Sequence, residues 1–114
     1  MKVFIAKRLV YDNAVALKNS LAKARGLMFS SRVLRPLVFF FSKPSRTGAS
    51  IHSFFCPEFD AIFVSEDFVV TDVFSRVKPN AFFPPSRKAL FLIETFPGDA
   101  SRKGFVEGVK LRFE

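Results

Sequence analysis

The sequence has no tryptophan and only one cysteine, one histidine and one tyrosine in 114 residues. A lone Cys56 cannot close an internal disulfide, and together with His52 it cannot supply the four nitrogen or sulfur ligands of a structural zinc site. A reduced, cytoplasmic chain with no metal and no cofactor is the expectation. Long apolar runs are also missing. Stretches such as Leu37 to Phe41 fall far short of the ~20 residues of a membrane helix, so no membrane partner is expected. The start, Met1 to Ala6, is interrupted by Lys7 and Arg8 before an export signal can form, which points to a soluble protein. Acidic residues are scarce in one half only. Residues 1 to 57 carry 10 basic residues against 1 acidic, whereas residues 58 to 114 carry 8 against 9. All of the net charge of +8 therefore comes from the first half.

What is abundant is phenylalanine, with 17 copies beside Tyr11. Phe has no polar group, fills cores and suits strands better than helices, so a β-rich domain is expected. The length matches a single domain over residues 1 to 114, able to bury roughly two-thirds of its unfolded surface.

Short strands follow one another along the chain. Val3 to Tyr11 reads as a strand or strand pair, and Ala14 to Lys18 as a half-buried strand. Ser20 is a plausible helix cap, with Leu21, Ala24 and Met28 on one face of at most two turns before Gly26 ends them. Leu37 to Phe41 reads as a strand buried on both faces, Ser42 to Gly48 as a loop, and Ser50 to Phe55 as a further strand. In Phe59 to Ser65 the residues Phe59, Ala61 and Phe63 alternate with Asp60, Ile62 and Val64. The Glu66-Asp67 turn should return Phe68 to Phe74 as a hairpin partner. Three prolines make Lys78 to Lys88 an irregular crossing loop, whose Phe82-Phe83 pair is costly to leave in water, so the loop is expected to lie over the core or form a pocket wall. Ala89 to Thr95 is a strand, Asp99 is placed to cap a helical turn through Lys103, and Val109 to Phe113 closes the chain as an edge strand protected by Lys110 and Arg112. The fold class is therefore mainly β, a small antiparallel sandwich or barrel with one or two short helices.

Four segments, in order, resemble the domain of unknown function family number 192. They are Arg25-Gly26-Leu27-Met28; the block Ile51 to Phe55 with Phe59 to Val64; Val77-Lys78-Pro79; and Ile93 to Gly98. The resemblance covers roughly Val15 to Phe113 and is closer to the archaeal branch. Most bacterial members carry a Trp-Met-Lys-Asn-Thr run where this chain has Ile51 to Phe55, so no role for that Lys-Asn pair carries over. The resemblance implies a β-sandwich of jelly-roll type and no particular activity.

Charged residues recur inside these otherwise apolar motifs. His52, Asp60, Arg25, Lys78 and Glu94 are therefore candidates for a small polar pocket or partner-binding surface in a non-enzymatic binding module. A buried Asp60 needs a cationic or amide partner, with Arg25 the first candidate and Lys78 the second. An alternative is polyanion or nucleic-acid binding through the basic half, by Lys7, Arg8, Arg32, Arg35, Lys43 and Arg46. A second alternative is acid/base catalysis by His52 with Asp60. A Cys56-His52 nucleophile is a poor fit, because residues four apart in an extended strand stand ~13 Å apart. The unknown ligand or protein partner is accompanied by an expected monomer or weak homodimer.

Overall fold

A computed structural model of the chain describes residues 1–19, 22–23, 26–28, 30–46 and 51–114, and the side chains of Ile51 and His52 lie outside that description. The protein is mainly β and sandwich-like. A five-stranded sheet is built from β3 (Val15–Leu17), β4 (Leu37–Ser45), β6 (Phe59–Val64), β7 (Val70–Val77) and β9 (Ala89–Thr95), in the order β3-β4-β9-β6-β7. A three-stranded sheet of β10 (Leu111–Phe113), β1 (Val3–Ile5) and β2 (Arg8–Tyr11) packs on one face. A short ribbon pairs β5 (Ile51–His52) with β8 (Phe82–Phe83).

The alternation in Phe59–Val64 sets the two layers. Ile62 and Val64 join one core cluster with Val3, Val38, Phe91 and Ile93, against the three-stranded sheet. Phe59, Ala61 and Phe63 join the other, with Phe39, Val77, Phe83 and Leu92. All six residues of β6 are buried, as a central strand sandwiched on both faces requires. Each cluster has its own aromatic group. Phe63, Phe74 and Phe83 have ring centroids 5.1 to 6.3 Å apart on one side, and Phe68, Phe91 and Phe113 are 5.0 to 5.7 Å apart on the other. Such edge and offset contacts add to the area the rings bury.

The β6–β7 hairpin forms as expected. Other elements differ for identifiable reasons. β3 and β4 pair in parallel, so the sheet is not wholly antiparallel. β4 runs through Pro44 to Ser45 where composition indicates a loop; its register with β9 shifts between Phe40 and Ser45, which tolerates a residue lacking an N–H. Phe83 is in the core, but Phe82, across the ribbon's other face, is 68% exposed and does not cover it. β10 is not a free edge, because Lys110 bridges Val69 and the Leu111 amide donates to the Phe68 carbonyl on the side away from β1.

Both predicted helical turns have caps that the local sequence does not announce. Ala22 and Lys23 are helical, and the Ala22 amide donates to Asn19 Oδ1 at 2.7 Å; Ser20, Leu21 and Ala24 lie outside the described residues. Asp99–Lys103 forms α1, which begins after a left-handed Gly98 and ends at a left-handed Gly104. Asp99 is not its cap; the carboxylate that satisfies a first-turn amide comes from Asp60 in β6.

Candidate functional site

Asp60 and Glu94 stand on neighbouring strands but on opposite faces of the same sheet. In the β6–β9 register Asp60 is opposite Thr95, and Ala61 is opposite Glu94. Cross-strand partners share a face, so Glu94 points with Ala61 into one cluster while Asp60 points with Thr95 into the other. The two carboxylates therefore do not form one site.

On the Thr95 face every polar group has a partner. Asp60 is fully buried, and its two oxygens accept the backbone amides of Arg76 and Ala100, each at 2.8 Å. Among the described residues these amides, and not Lys78, partner the buried carboxylate; Arg25 lies outside them. Thr95 Oγ1 donates to the Tyr11 hydroxyl at 2.7 Å, and that hydroxyl donates to Asp99 Oδ2 at 2.8 Å. Arg102 pairs with the other Asp99 oxygen. Burial, above all, raises the Tyr11 pKa, so the phenol stays protonated and keeps donating. The network ties β2, β9, β6 and α1 together. Motif reading missed Tyr11, Thr95 and Asp99, although one signal was available. A single Tyr among 17 Phe marks a position where a hydroxyl is required.

On the other face Glu94 lies among the residues of the second core cluster. It is 4% exposed, and no described residue donates a hydrogen bond to its carboxylate. Burial pushes its pKa up to about 8, which leaves it largely protonated at neutral pH. Gly26 packs directly over it. A Cβ on Gly26 would stand 3.6 Å from Glu94 Oε1 and 2.9 Å from the Phe39 ring, and its φ of +46° lies in the left-handed region. A side chain at position 26 would therefore meet both strain and a clash. Cys56 is buried nearby; burial first, then the Glu94 charge, pushes its thiol up to about 11, which suppresses the nucleophilic thiolate.

Lys78 is exposed and pairs with Glu58, which also binds Arg76 Nη1 at 3.1 Å; the two cations hold the Glu58 carboxyl below the usual range. His52 lies in β5 opposite Phe82, with its side chain outside the described residues, as is the whole of Arg25. The chain is not extended from His52 to Cys56, because β5 ends at His52 and the Cys56 amide turns back to the Ser53 carbonyl at 3.1 Å. The spacing that an extended strand implies therefore does not apply. The basic candidates divide between layers. Arg8, in β2, donates to the Lys103 carbonyl at 2.7 Å, whereas Lys43 and Arg46 stand at the far end of β4 and just beyond it. Among the described residues no three His, Cys, Asp or Glu side chains could hold a metal ion, and no helix is long and apolar enough to cross a membrane. A groove of about 400 Å³ lined by Ala6, Phe68, Leu111 and Phe113 lies on the three-stranded sheet, away from Glu94.

A UPF0127 protein of Pyrococcus horikoshii is 34% identical over 110 residues, which is 95% of this chain and 89% of that protein. The chain belongs to the UPF0127 family. A second UPF0127 protein, from Thermococcus sibiricus, is 39% identical over 72 residues, covering 62% of this chain and 46% of its own length. No protein-family model matches. The fold of this UPF0127 chain is shared with two solved structures. A Novosphingobium aromaticivorans protein of unknown function has a TM-score of 0.85 at 22% identity, covering 98% of this chain and 82% of its own. A Sinorhizobium meliloti protein described as a candidate transcription regulator has a TM-score of 0.84 at 15% identity, covering 97% and 89%. At these identities the likeness is one of fold.

Proposed function

We propose that this UPF0127 chain is a non-catalytic binding module whose small polar site is centred on Glu94. The supporting observation is its buried carboxyl, without a donor among the described residues and with a pKa raised to about 8. Burying a polar group without a partner costs free energy, and a ligand that supplies the partner recovers part of it. As a protonated acid Glu94 offers one donor and one acceptor, suited to an amide or hydroxyl. An ammonium group would favour the ionised form instead. In this reading Asp60 and Lys78 support the strands that carry the site.

The same reading extends to family 192, which we take to be the wider group of these UPF0127 chains. Two of its four motifs meet here, Gly26 of the first lying over Glu94 of the last. Acid/base catalysis by His52 with Asp60 has less support, since both Asp60 oxygens are occupied by backbone amides. Polyanion binding through the amino-terminal half is also less favoured, because Arg8 and the Lys43–Arg46 pair belong to different layers.

Proton–nitrogen correlation spectra recorded at neutral pH while methylammonium or acetamide is added provide the test. Saturable shifts at Gly26, Cys56 and Phe39 that disappear in Glu94→Gln are expected for methylammonium, with acetamide retained more weakly. Spectra unchanged by both probes would remove the reading.

A further inference from the structure

Among the described residues six large apolar side chains are exposed; Leu9, Leu34 and Val106 lie apart, whereas the three phenylalanines cluster. Phe54 is 44% exposed, Phe55 66% and Phe82 68%, and all three belong to one small substructure. Phe82 lies in β8, and Phe54-Phe55 form the turn that continues its partner strand β5. Ser53 fixes that turn to β8. Its buried hydroxyl accepts the Ala81 amide at 2.8 Å and donates to the Lys78 carbonyl at 2.5 Å, and its own amide donates to the Ala81 carbonyl at 2.8 Å.

Phe55 adopts a φ of +61°, a left-handed conformation that a bulky L-residue rarely takes and that costs free energy. The fold thus spends backbone strain to hold two consecutive phenylalanines at its surface. The Phe55 ring is largely exposed and the Phe54 ring is about half buried. Ala6, Phe68, Arg76 and Asn80 share a left-handed backbone, so it is the exposure of the Phe55 ring together with this conformation that sets the position apart.

The charge around these rings is mainly positive, with Glu58, paired to Lys78 and Arg76, and Asp72, which accepts the Ser86 amide, as the acidic groups at its border. Residues 42 to 57 and 78 to 90 contain five Lys or Arg and no Asp or Glu. The two segments lie together, because Ser45 pairs with Ala89, Arg46 Nε donates to the Pro85 carbonyl at 3.2 Å, and β5 pairs with β8. The fold therefore adds Arg87 and Lys88, from the half of the sequence without excess charge, to Arg46 from the basic half.

We propose that this surface binds single-stranded nucleic acid, with Phe54, Phe55 and Phe82 as stacking platforms for bases and Arg46, Arg87 and Lys88 as phosphate contacts. Aromatic rings beside a cationic track are the physical requirements for gripping an unpaired strand, because every base has a face to stack and every linkage has a charge. A duplex hides those faces. Partial exposure favours stacking over membrane insertion: a ring with one side packed on protein presents its other side to a base, whereas a membrane wedge projects whole. The inference is independent of Glu94, which lies on the sheet beneath.

Fluorescence anisotropy of the full chain with a labelled oligothymidylate, its duplex and anionic phosphatidylserine vesicles tests it. Micromolar binding at ~50 mM salt is expected, with a log–log salt slope of roughly −2 from three phosphate contacts and weaker binding to the duplex. Phe82→Ala and Phe55→Ala, both at exposed positions, should each weaken binding at least ~5-fold, while Phe82→Tyr retains it. Circular dichroism verifies that each variant is folded. Absence of oligonucleotide binding, affinity indifferent to Phe82→Ala, a preference for duplex, or binding to vesicles alone would each overturn the proposal.

Discussion

Glu94 and Thr95 are consecutive residues of one buried strand, yet their surroundings are opposite. Thr95 sits in a chain of hydrogen bonds through Tyr11 to Asp99, beside an Asp60 whose two oxygens are both satisfied by amides. Glu94, one residue earlier and on the other face, is 4% exposed with no donor among the described residues. Equal burial therefore has two meanings. Where partners are complete, buried polarity fixes the geometry of the fold. Where no described residue donates, burial instead holds the carboxyl in its protonated form.

The largest effect that can break this comparison is the pH dependence Glu94 imposes. Its pKa rises from an ordinary 4.5 to about 8 on folding, so between those values the native state binds a proton that the unfolded chain has lost. The contribution of Glu94 to stability should be greatest below pH 4.5 and fall as pH rises towards 8, by up to about 1.4 kcal/mol per pH unit and roughly 4 kcal/mol in all. Cys56, pushed up to about 11, does not titrate in that window. Glu94→Gln should flatten the dependence and be the more stable protein at pH 8. Urea denaturation across the window measures both chains, and parallel curves would mean that Glu94 has a partner after all.

Next in size is Asp60→Ala. Two amides, buried at Ala100 and part-buried at Arg76, would lose their acceptor, at a cost of roughly 3 kcal/mol. The loss should be concentrated at α1, which depends on Asp60 for a first-turn acceptor. Hydrogen exchange at Ala100 should accelerate more than exchange in the centre of β9. A small, uniform loss would place Asp60 among the replaceable polar groups.

The difference between the faces was half legible in the sequence. Alternation in Phe59–Val64 separates Asp60 from Phe59 and Ala61, and that division holds in the two cores. The separation of Asp60 from Glu94 depends on the register of β6 against β9, which alternation within either strand cannot supply. For the same reason the cap from Asp60 to α1 was unreadable, since it links residues 40 apart in the chain. Phe82 shows a different limit. Apolar character alone placed it over the core, but in a two-residue strand its pleat partner Phe83 takes the inward position.

The smallest effect examines whether the Thr95 face acts as a unit. Tyr11→Phe removes one hydroxyl that serves both Thr95 and Asp99, at a cost of about 1 kcal/mol, because Asp99 keeps Arg102. Thr95→Val removes the donor on the other side. If the network is continuous, the second substitution should cost less once the first is present, with a coupling of about 1 kcal/mol in a double-mutant cycle. Strict additivity would show two independent contacts. The cycle has a built-in control in pH, because the raised Tyr11 pKa means that its stability contribution persists through neutrality and is lost only above pH 10, the ordinary value of the unfolded phenol. A coupling that changes between pH 5 and pH 8 would therefore come from outside the Tyr11–Thr95–Asp99 network, with Glu94 across the sheet as one source.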